Sequence, residues 1–137
     1  MIRLDELERD ALIVVCAISA GIHAALTPDH FSEGAGAGLG FLGATVLLAA
    51  LAAVLTVRPP STAALATAGV VLTGLIASYA LAITTGLPVL HREPEPIDGL
   101  ALVTKAVEAV GLLAAAHLVR RPSPKLAPSP RPKGLLT

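Results

Sequence analysis

Long apolar runs alternate with short polar breaks along this chain. "ALIVVCAISAGI" (11–22) gives way to "HAALTPDHFSEG" (23–34), and "FLGATVLLAALAAVL" (41–55) follows. A helix needs about 20 apolar residues to cross a bilayer core, and four segments reach that length, at about 10–27, 37–57, 62–87 and 99–119. The breaks between them are rich in proline and polar residues: "TPDHFSEG", "RPPS", "LPVLHREPEPID" and, after the last, "RRPSP". Such punctuation ends helices. Pro28 is expected to end or bend the first helix, and Ser61 and Asp98 stand where N-caps belong.

Composition strengthens this reading. The chain has 137 residues, 54% hydrophobic and 15% charged, with a mean hydropathy of +0.75. A soluble domain usually carries about 25% charged residues, so too little polar surface is available to face water. The expected fold is all-α: an integral membrane bundle of four transmembrane helices over 1–120, followed by a disordered, Pro-rich, basic tail over 121–137. The tail is expected to lie against anionic headgroups. A cleaved signal peptide is rejected, because "RLDELERD" is acidic as well as basic and no A-x-A site leads into a soluble domain. Cys16 is the single cysteine, which excludes an intrachain disulfide and a CxxC redox site, and a net charge of zero gives no pointer to nucleic acid.

Basic residues set the expected orientation. Arg3, Arg9, Arg58, Arg120, Arg121, Lys125, Arg131 and Lys133 flank one side and Arg92 the other. The positive-inside rule places both termini in the cytoplasm of a multi-pass protein of the cell (inner) membrane, with the "TPDHFSEG" and "LPVLHREPEPID" loops outward. On span two, Gly36, Gly40 and Ala44 form a small-xxx-small row, which suits close packing within the bundle or a homodimer face.

The polar groups gather toward the outward side. Cys16, His23 and His30 recur at intervals of seven on one helix face, each interval about 10 Å along the axis, so adjacent members do not share one metal by themselves. His23 is expected inside the bundle and His30, beyond Pro28, at the membrane surface. "PDHFSE" (28–33) has a loose counterpart in "PVLHRE" (88–93), so both outward loops present proline, then histidine, then glutamate. On span four, Lys105 lies about 10 Å and Glu108 about 15 Å below the helix start. Ionisable groups at such depth cost ~2.5–3.5 kcal/mol or more on insertion scales, so they should face inward and pair, here with each other across three residues. Tyr79 and His23 belong to the same layer. His117, near the inner end, is expected to snorkel to the interface. The cytoplasmic half of each span is dry, whereas a conducting path needs polar groups through the full thickness. A one-sided pocket is expected, not a channel.

Three functional readings follow. The first is an outward His/carboxylate pocket holding a divalent transition metal (Zn, Cu, Mn or Fe), with His30, Glu33, His91 and Glu93 as ligands above a buried set of His23, Tyr79, Lys105 and Glu108. Cu(I) is disfavoured because soft ligands are nearly absent. The second is a non-catalytic accessory subunit that docks onto a larger membrane complex. The third is a haem-binding bundle, for which His23 and His117 stand too far apart and only His30 with His91 remain. No Ser-His-Asp set, Cys-His pair or phosphate loop supports an enzyme of those classes.

"GIHAALTPDHF" together with "GLPVLHREPEPIDGLALVTKAVE" resembles small uncharacterised four-span membrane proteins of GC-rich, actinobacterial-type bacteria. The likeness covers the ends of spans one and three and the first half of span four. It implies a four-helix membrane fold and brings no activity with it.

Overall fold

The computed structural model describes residues 4–58, 61–87 and 94–121. His91, Glu93, the "PVLHRE" counterpart and the tail beyond Arg121 lie outside the described residues. Among those described, the fold is all-α, with four helices in chain order: α1 (Leu4–Glu33), α2 (Ala35–Val57), α3 (Thr62–Thr84) and α4 (Gly99–Arg120). Each is long and apolar enough to cross a membrane. Consecutive helices run antiparallel. α1 packs on α2 and α4, and α3 packs on α4; α2 and α3 touch only thinly, and the backbones of the diagonal pairs stand apart. The result is a square bundle with one loose edge. One end carries the start of α1 and the end of α4 (the terminal end); the other carries the α1–α2 link at Gly34.

The expected caps form. Ser61 Oγ accepts from the Ala64 N–H and Asp98 Oδ2 from the Ala101 N–H, both at 3.1 Å, occupying donors that a helix start leaves unpaired. Past the end of α3, Gly86 takes φ 71°, a left-handed conformation that lets the chain leave the helix without a Cβ clash.

The first helix departs from expectation. α1 does not stop at Thr27 but runs unbroken to Glu33 with Pro28 inside it. Proline deletes one N–H, the helical donor to the Ala24 carbonyl; on either side of it Thr27 Oγ1 donates to the His23 carbonyl at 2.7 Å and His30 Nδ1 to the Leu26 carbonyl at 2.9 Å. Proline is more frequent in membrane helices than in soluble ones. The "TPDHFSEG" loop therefore shrinks to the single residue Gly34 between two helices. At this corner the Phe31 ring occupies the space a Cβ on Gly38 would need.

The core is asymmetric along the axis. Leu12, Leu48, Leu55 and Leu72, all fully buried, fill the terminal half together with Val15, Cys16, Leu51, Leu65, Ala68 and Ala115. Where α4 crosses α1, a Cβ on Gly111 would stand 2.5 Å from Val15 Cγ1, so glycine is what lets the two helices approach. The small row on α2 behaves differently. Ala44 is buried, but a Cβ on Gly40 would meet nothing within 4 Å. The close approaches are at Gly38 and Gly111, not at Gly40.

Polar contacts latch the terminal end. The Arg9 guanidinium donates to the Leu55 carbonyl through Nε (2.9 Å) and Nη2 (2.6 Å), and Nη2 also reaches the Thr56 carbonyl at 3.1 Å. These are acceptors that the end of α2 leaves open, and a cation there suits the helix dipole. Glu8 Oε1 takes His117 Nδ1 at 2.8 Å and Arg121 Nη2 at 3.3 Å. His117 thus pairs with a carboxylate of α1, where the sequence alone suggested a side chain merely reaching for the interface.

Candidate functional site

Glu108 is the most constrained polar residue in the bundle. It is fully buried on α4, and both carboxylate oxygens are engaged. Ser19 Oγ of α1 donates to Oε1 at 2.7 Å, and Lys105 Nζ, one turn up α4, meets Oε2 at 2.6 Å. The expected Lys105–Glu108 pair is therefore present, and Ser19 adds a link from α1 to α4. Lys105 Nζ also approaches the Leu75 carbonyl of α3 at 3.5 Å and stands 5.9 Å from the Tyr79 ring centre. One carboxylate and one ammonium thereby tie three helices.

His23 completes the chain of contacts. Its Nδ1 lies 2.8 Å from the Ser19 carbonyl and 3.4 Å from Ser19 Oγ. A carbonyl only accepts, so Nδ1 carries a proton, and in the neutral tautomer Nε2 is then the lone-pair acceptor. His30 Nδ1 is held in the same way by the Leu26 carbonyl. The two imidazoles flank Phe41 of α2: the His30 ring stacks on it at 3.5 Å between centroids, and the His23 ring tilts against it at 5.3 Å. His30, expected at the membrane surface, is thus a helical residue packed against a neighbouring helix.

Above this layer all four helices border a cavity of about 490 Å³. His23, His30 and Glu33 line it from α1, and Gly40 and Phe41 from α2. Tyr79 and Lys105 line it from α3 and α4, with Glu95 and Asp98 from the segment between. The Tyr79 hydroxyl is shielded from solvent and has no hydrogen-bond partner among the described residues. On α2 the lining includes the small residues Ala37, Gly40 and Ala44, which leave space that the neighbouring helices do not fill.

The buried set of His23, Tyr79, Lys105 and Glu108 is brought together in one layer. Of the four expected metal ligands, His30 and Glu33 line the cavity, while His91 and Glu93 fall outside the described residues. Among the described residues no three His, Cys, Asp or Glu side chains are grouped closely enough to hold a metal ion. Ser19, Phe41 and the buried Thr104 went unmarked in the sequence. Ser19 stands four residues before His23, and Thr104 four before Glu108, so i, i+4 spacing from a costly buried group would have found both. Phe41 carried no such signal.

Compared with known proteins, the chain matches no family model, no curated protein and no solved structure.

Proposed function

We propose that the protein is a multi-pass component of the cell membrane, with both termini cytoplasmic, that binds a small ligand in an outward-facing cavity between its helices. The observation that carries this is that the ~490 Å³ space is lined by His23, Tyr79 and Lys105, the last of them paired with the buried Glu108. Ligand sites are concave, mostly apolar and furnished with a few fixed polar groups, and this space has that character. The basic residues at the terminal end support the orientation through the positive-inside rule. The leucine core below the cavity argues against conduction, because no polar lining continues through it.

A divalent transition metal is a narrower form of the same proposal. In its favour, both histidines keep Nδ1 on a backbone carbonyl and present Nε2, the arrangement that orients metal-bound imidazoles. Against it, a complete donor set has to recruit His91 and Glu93 to join His30 and Glu33. Elemental analysis and an absorption spectrum of the purified protein separate the forms. Stoichiometric metal that is lost in His30→Ala supports the metal site, a haem spectrum supports bis-histidine ligation, and metal-free, colourless protein leaves the organic-ligand form. Accessibility to a membrane-impermeant thiol reagent of a cysteine placed at Glu33 or Asp98, in Cys16→Ser cells, tests the orientation. Labelling only after the membrane is opened would overturn it. A stoichiometric partner protein that occludes these positions would favour an accessory subunit instead.

A further inference from the structure

Apart from the exposed or half-buried carboxylates Glu33, Glu95 and Asp98, the unpaired hydrogen-bonding groups of the cavity are segregated by helix. On α1, His23 is only 6% exposed and its Nδ1 proton is committed to the Ser19 carbonyl, which leaves the Nε2 lone pair with no partner among the described residues. His30 repeats the pattern two turns further along the same wall. On the α3 and α4 side stand proton donors. Tyr79 has a hydroxyl without a partner. Lys105 has three protons, of which Glu108 takes one and the Leu75 carbonyl accepts another at the 3.5 Å limit.

Charge narrows the ligand further. Three carboxylates also line the cavity, but Glu33 and Asp98 are exposed, Glu95 is half-buried, and Asp98 Oδ2 caps α4. The deepest ionised pair, Lys105 with Glu108, is internally neutral. A cation placed beside it meets the ammonium of Lys105, and an anion competes with Glu108 for that ammonium. Either adds an uncompensated charge at low dielectric, which is strongly unfavourable. A neutral hydroxyl satisfies both walls at once, because it donates through hydrogen and accepts through oxygen. The rest of the lining includes Ile22, Leu26, Phe41 and Leu75, which suits an apolar body.

Resting on the reading of this cavity as a ligand site, we infer that it takes a neutral amphipathic hydroxyl compound, a lipid-soluble alcohol or phenol. The ligand's O–H donates to His23 Nε2, its oxygen accepts from Lys105 Nζ or the Tyr79 hydroxyl, and its apolar part lies along Phe41.

Equilibrium dialysis of the full-length protein in detergent, against protein-free micelles, tests this with three probes that share one body: 4-butylphenol, 4-butylanisole and 4-butylphenyltrimethylammonium. The phenol should bind about tenfold tighter than the anisole, whose methyl ether has lost the proton, as expected for one net hydrogen bond to a buried group. That gap should close in His23→Ala and narrow in Tyr79→Phe, which removes a hydroxyl the empty bundle does not use. Equal binding of phenol and anisole would overturn hydroxyl recognition while leaving a ligand cavity in place. Tighter binding of the ammonium probe would overturn the neutral ligand. Binding of none of the three would remove the cavity reading along with the inference built on it.

Discussion

The inward row of α2 reads Ala37, Gly40, Ala44 over one half of the helix and Leu48, Leu51, Leu55 over the other. The other helices change in polarity between the same halves. α1 turns Ser19 and His23 inward near the Gly34 end and Leu12 and Val15 near the termini, and α4 turns Thr104 and Glu108 inward on one side and Gly111 and Ala115 on the other. In the terminal half, leucines fill the centre, as close packing demands. In the other half the same four rods enclose space, and the polar groups stand on its border. The contrast teaches that the cavity owes room to the small residues of α2, and that His23, Tyr79 and Lys105 border that room.

Breaking the polar half should have the largest effect. Glu108→Ala strands the Lys105 ammonium in a bundle interior, and removal of one partner of a buried pair costs about 3–5 kcal/mol. Thermal unfolding in detergent should show a large drop in midpoint for this variant. The double variant Lys105→Met with Glu108→Leu should recover most of it, because an apolar pair leaves nothing unpaired. If the double variant is as unstable as the single one, the pair is not what holds α4 in place.

Leucine truncation compares the halves directly. Leu72, fully buried in the terminal half, should lose about 2–5 kcal/mol on replacement by alanine. Leu75, one turn along α3 and bordering the cavity, should lose less than half as much, since one side of it already faces open space. Equal losses, measured by the same unfolding assay, would mean that the cavity half is packed as tightly as the leucine half.

Glycine substitution sharpens the contrast at smaller scale, with opposite signs. Gly111→Ala drives a methyl group to within 2.5 Å of Val15 Cγ1 and should cost about 1–3 kcal/mol through overpacking. Gly40→Ala, the smallest of these effects, puts its methyl into open space and should gain about 0.5–1 kcal/mol from helix propensity. It should also weaken 4-butylphenol binding by shrinking the cavity. Destabilisation by Gly40→Ala would show a close approach at that position instead of a void.

Much of this was legible in the residues. Run length and hydropathy marked four helices, and Ser61 and Asp98 announced two starts because short oxygen-bearing side chains at those positions pair the free N–H groups. Depth along α4 singled out Lys105 and Glu108, since an ionised group in a membrane helix must find a partner. Pro28 misled, because one missing N–H removes a single bond from a long helix, and α1 continues through it to Glu33.

What the sequence by itself determined was local: which segments are helical, where they start, and which groups are too costly to leave alone in an apolar setting. These follow from periodicity, length and solvation, which act within a single helix. Only the tertiary structure decided that Ser19 reaches Glu108 across 89 positions of chain, that Phe41 meets two imidazoles, and that Gly40 borders a void while Gly111 closes a contact. Those outcomes depend on the rotation and spacing of helices against one another. Volume complementarity between distant segments sets that geometry, and no single stretch of chain encodes it.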